Sequence, residues 1–176
     1  MSMDILTRNK VNLLHSIVAS FLSYYYIYHS SQNLKRTIFF ISNTYFLFDT
    51  YQIRNKDYLD IVHHILSIFS LFCFYLGHYE TVLIKLFNLA ELSNVAIFGH
   101  YHVIKKVQNR YLVLISSIFE FLIYTYLRVF CITQIIIDNY EIVLFSPLSI
   151  LLIIYYMSID WSYTLFHNLK SEILSI

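Results

Sequence analysis

The sequence predicts an all-α, polytopic membrane protein: six transmembrane helices bundled around a polar-lined cavity. Three observations carry this. First, 58% of the 176 residues are apolar and only 13% are charged, about half the charge of an ordinary soluble domain. Second, six apolar segments, 11–28, 37–53, 58–76, 81–98, 111–137 and 142–166, match the roughly 20 residues that a helix needs to cross a bilayer core of about 30 Å. Third, ionisable residues sit inside those segments, where they are costly unless they face a partner or a cavity.

Each span is bounded by polar sequence. The joints are HSSQNLKR, RNKD, GHYE, HVIKKVQNR and DNYE. Continuous hydrophobicity at this length favours helices, because open sheets leave backbone groups unsatisfied in lipid. The length fits one domain, residues 1–176. The polar start MSMDILTRNK precedes an apolar run without a small-residue cleavage site, so the first span is expected to act as its own insertion signal. Cys73 and Cys131 fall within apolar runs, and a disulfide between them is an open alternative to two free thiols.

Loop charges set the expected orientation. Arg8, Lys10, Arg54, Lys56, Lys105, Lys106, Arg110 and Lys170 fall on one side of the predicted topology, and only Lys35 and Arg36 on the other. The positive-inside rule then puts both termini in the cytosol. Endoplasmic reticulum or another endomembrane is the expected location. The bias towards Phe, Tyr, Ile and Asn fits an AT-rich genome, and in a viral protein the membrane would be the host's. A net charge of +1 gives no field suited to nucleic acid.

The intramembrane polar residues are the candidate site. At 1.5 Å per residue, Asp49 lies about 6 Å inside the cytosolic face and His63, His64 and Asp160 about 9 Å inside it. Three spans thus contribute to one layer. Asp60 precedes His63 by three residues and His64 by four, within helical reach of either ring. Asn88, Glu91 and Asn94 form a stripe on the fourth span, and Glu120, Tyr124 and Arg128 another on the fifth. Lys85 lies towards the far side. The stripes have two readings: the lining of a cavity, or hydrogen bonding that only joins helices.

Their chemistry is open in the same way. A His beside a carboxylate in a low-dielectric setting can take a proton from an amine or hydroxyl. His63 and His64, with Asp60 or Asp49 as orienting carboxylate, are the candidates for such a base. Metal is not expected: His63, His64, His100 and His102 lack HxxxH or HxxHH spacing, and a zinc centre needs three suitable ligands. No GxSxG, GxGxxG, GKS/GKT or CxxC motif occurs, so no resident cofactor is expected. The competing possibility is a lipid carrier or sensor without a reaction.

The stretches YFLFDTYQI, DYLDIVHHILSIF and LFNLAELSNVAIFGHYHVIKK, followed by YLRVF and IDWSYTLF, resemble the TLC family, the domain shared by ceramide synthases and translocating-chain-associated membrane proteins. The resemblance covers roughly residues 37–170. It implies about six helices around an elongated cavity and membrane lipids as partners. In ceramide synthases the paired histidines belong to an active site that transfers an acyl group from acyl-CoA to a sphingoid amine. They carry over onto His63 and His64, and a family aspartate onto Asp49. The synthases also carry a His-Asp pair on the next span, where this chain has NLAELSNVAIF. That departure points to the branch concerned with lipid homeostasis, with an acyl-CoA-dependent lipid N-acyltransferase as the alternative.

Overall fold

The computed structural model describes residues 4–53 and 58–174, which are helical with short connections and contain no strand. Its long helices are α1 (Ile5–His29), α2 (Gln32–Ile53), α3 (Tyr58–Tyr75), α4 (Glu80–Lys106) and α5 (Arg110–Thr125). The fifth continues through a π-helical turn (Tyr126–Cys131) into α6 (Ile132–Asp138). A short α7 (Tyr140–Leu144) and a 3₁₀ turn (Pro147–Ile150) lead into α8 (Leu151–Leu174). The predicted joint residues Arg54, Asn55, Lys56 and Asp57 lie outside the described residues.

Local chemistry places the ends. Asp4 caps α1, its carboxylate accepting from the Thr7 amide at 2.9 Å. Asn109 caps α5 by accepting from the amides of Tyr111 and Leu112. Between α3 and α4 the chain reverses through Gly77 at φ +86°. The His78 amide donates to Cys73 O and the Gly77 amide to Phe74 O, the paired bonds of a Schellman stop. Pro147, preceded by Ser146 whose hydroxyl accepts from the Leu148 amide, starts the turn into α8. Both cysteines are free thiols.

Four helical stretches are long and apolar enough to cross a membrane: Tyr58–Tyr75, Glu80–Lys106, Arg110–Asp138 and Pro147–Leu174. They mark an integral membrane protein. The first two helices, of 25 and 22 residues, have the length but not the mean hydropathy. Side-chain placement explains why. On α1 the buried face is Asn12, His15, Ser16, Ala19, Ser23 and Tyr26, whereas Leu14, Ile17, Phe21, Tyr24 and Tyr28 point outward. On α2, Lys35, Ser42 and Asp49 are buried while Phe40, Leu47 and Phe48 are exposed. Water would favour the opposite arrangement. Small and polar residues inside, with hydrocarbon outside, is how helices pack in lipid.

The long helices form a ring. Each of α3, α2, α1, α4, α5 and α8 touches the next in that order, and α8 meets α3 again. The pair α1–α4 packs most extensively, and α3 also meets α4 across the ring. Ala19 and Ser23 are essentially fully buried and let α1 approach its neighbour closely. Asn88 of α4 donates to Ser20 O at 2.7 Å and lies 2.9 Å from Ser23 Oγ. At one end Glu80 of α4 accepts from Tyr26 of α1 and Lys35 of α2, tying three helices together. An apolar core of Tyr26, Ile38, Phe46, Leu71, Phe74 and Leu83, with their neighbours, fills that half.

Candidate functional site

The cluster expected around the histidine pair forms, with a different membership. Asp49 is buried near the end of α2. Arg8 of α1 clamps it as a fork, Nε donating to Oδ1 at 2.6 Å and Nη2 to Oδ2 at 2.9 Å. His64 Nε2 lies 3.6 Å from Asp49 Oδ2. On the other side of the ring, His64 Nδ1 is 3.2 Å from Thr50 Oγ1. His64 is thereby held between two residues of α2.

His63 is held differently. Its ring meets Trp161 of α8 edge-on at 5.8 Å and His64 at the same centroid distance. Its Nδ1 is buried without a hydrogen-bond partner. By helical spacing Asp60 can reach either ring. The geometry separates them: His64 is anchored to α2, and His63 keeps an open nitrogen.

Two cavities adjoin at this point. One, of about 380 Å³, is lined by Arg8, Asn12, Asp49, Asp60 and His64, with Asn94, Tyr124 and Trp161 on its far walls. The other, of about 90 Å³, is bounded mainly by hydrocarbon, including Leu71, Phe74, Leu83, Phe87, Ile132 and Ile154. His63 lines both. Arg128 is a polar exception in the apolar cavity, together with a few serines.

Of the nine residues expected to line a cavity, Asp49, His63, His64, Asn94 and Arg128 do so here. The other four have different surroundings. Asp160 is exposed, because α8 turns Met157, Ser158 and Ser162 inward and leaves Asp160 off that face. Asn88 and Glu91 point at α1: Ser16 donates to Glu91 Oε2 at 2.8 Å, and His15 Nδ1 lies 3.6 Å from the same oxygen. Glu120 faces the end of α4, with His100 Nε2 at 3.6 Å. His100 also sits 3.0 Å from Ser116 Oγ, and Ser117 nearby donates to Glu172. These contacts join α4, α5 and α8 away from both cavities.

The sequence reading missed what α1 contributes. Arg8 enters that reading as a loop charge, and Asn12 and His15 do not enter it. His15 stacks on Tyr45 at 3.6 Å with the rings 11° apart, and Ser42 Oγ lies 3.4 Å from its Nε2. A signal existed: Arg8, Asn12, His15, Ala19, Ser23 and Tyr26 recur at helical spacing along one face.

The fold and this inward polar face define an all-helical integral membrane protein. Compared with known proteins, the chain matches no family model, no curated protein and no solved structure.

Proposed function

We propose that the chain is a six-span, TLC-type membrane protein that holds a membrane lipid and serves lipid sensing, carriage or homeostasis. The observation that carries this reading is the junction at His63 of a cavity with charged groups on its wall and one bounded by hydrocarbon. A lipid has the same two-part character: its chain gains from hydrocarbon walls, and its head needs hydrogen-bonding groups. The outward apolar faces of α1 and α2 support counting both as spans. The loop charges favour cytosolic termini, and an endomembrane, the host's in a viral setting, is the proposed site.

A second reading is favoured by one specific feature, the unpartnered Nδ1 of His63, a residue that lines the larger cavity. In an acyl-CoA-dependent N-acyltransferase that nitrogen would take the proton of an attacking amine and return it to the leaving thiolate. The amide bond would form as the thioester bond breaks. Asp49 would hold His64, and through it the turn of helix that carries His63.

The test uses the protein in lipid nanodiscs, labelled acyl-CoA, a panel of lipid amines and alcohols, and mass spectrometry of co-purified lipid. The proposal expects a bound lipid and no acylated product from wild type. Product that disappears in His63→Ala/His64→Ala would replace it with the acyltransferase reading. Neither lipid nor product would contradict both.

A further inference from the structure

Arg128 stands out among the buried charges. It is 1% exposed, and among the described residues no carboxylate oxygen comes within the 4.0 Å of an ion pair. A guanidinium has five N–H donors. Its Nε donates to Ser93 Oγ at 2.7 Å, and Nη2 donates to Asn94 Oδ1 at 3.0 Å and Ala90 O at 3.2 Å. The Tyr124 ring lies 5.7 Å from Cζ. All of these neighbours are neutral. Nη1, with its two hydrogens, is buried without any partner.

The backbone beneath it is also unusual. Arg128 sits within the π-helical turn Tyr126–Cys131. Such turns interrupt α-helices frequently at functional sites. Glu91, one of the nearest acids, is engaged with Ser16 and His15 of α1. A buried cation with no carboxylate in contact is disfavoured, and this one lines the apolar cavity together with His63.

We infer that Arg128 is an anion-binding residue inside the apolar cavity, and that the lipid it holds is a long-chain carboxylate. This rests on the lipid-handling reading above. One positive charge with two open hydrogens complements a monoanion bearing two acceptor oxygens. The hydrocarbon walls suit the first methylenes of its chain, and a cavity of about 90 Å³ leaves the rest to extend beyond it. His63 lines the same cavity. A phosphodiester lipid shares the anionic oxygen, and the experiment separates the two.

The probe is a diazirine-bearing palmitic acid, offered to the protein in nanodiscs alongside its methyl ester, with crosslinks mapped by peptide. The acid is expected to label α3 and α8 peptides at least about tenfold more than the ester, the ratio that one charge-assisted hydrogen bond gives. Arg128→Gln should bring the acid down to the ester's level, and Arg128→Lys should keep a preference for the acid. Phosphatidylglycerol should compete no better than phosphatidylcholine. Where Arg128→Gln fails to fold, the acid-to-ester ratio in wild type and Arg128→Lys decides.

Equal labelling of the cavity by acid and ester overturns the carboxylate inference and leaves lipid handling standing. So does an acid preference that survives in folded Arg128→Gln. Selective displacement by phosphatidylglycerol overturns it in favour of a phosphodiester. Cavity peptides that take up neither probe contradict the lipid-handling reading itself.

Discussion

Arg8→Ala is expected to destabilise the fold by about 3 kcal/mol, the low end of the cost of stranding a buried charge, because Asp49 is buried but the Arg8 side chain is 24% exposed. The Asp49 side chain is 3% exposed, and the Arg8 fork supplies both of its short contacts. Without Arg8, its nearest cationic candidate among the described residues is His64 at 3.6 Å. Arg8→Lys keeps the charge but loses the planar fork and should fall between. Combining Arg8→Ala with Asp49→Asn should recover much of the loss, because no bare carboxylate is then buried. Thermal unfolding in detergent measures all four proteins. A double variant no better than Arg8→Ala would contradict the pairing. The cluster matters beyond stability, since Asp49 and Thr50 position the helix turn that presents His63.

The second large effect is expected at the α1–α4 seam. Ala19 is 1% exposed, and Ala19→Leu forces extra methylenes between two closely approaching helices, at about 1–3 kcal/mol or more. The same unfolding assay should show Phe21→Leu, two residues away on the outward face, within about 0.5 kcal/mol of wild type. Equal losses at the two positions would mean that α1 does not pack as described. The comparison isolates packing, because both variants place the same residue on the same helix.

Helix positions were legible because apolar runs and caps speak locally. The expected segments 58–76 and 81–98 lie on α3 and on the first two-thirds of α4. Depth was legible too, where two helices pack side by side: Asp49 and His64 share a layer because α2 and α3 adjoin there. Azimuth was not. Asp160 has the right depth on α8 but points outward, since rise along a helix does not fix its rotation. Glu120 and Arg128 share a stripe, yet eight residues separate them by about 12 Å along the axis. Each therefore meets a different part of α4. The stripe of Asn88 and Glu91 is visible in the sequence, but its partner is not: both meet the polar face of α1. Nothing in the periodicity announced the π-helical turn that carries Arg128.

On the lipid-handling reading, part of a lipid chain occupies the apolar cavity beside His63. Ala90 lines that cavity, and Ala90→Phe would fill it while leaving His63, His64 and Asp49 unsubstituted. Native mass spectrometry of protein released from nanodiscs reads the result. Wild type is expected to retain a bound lipid, and folded Ala90→Phe to have lost it. A wild type that carries no lipid, or a variant that carries the same lipid in the same amount, would contradict the account.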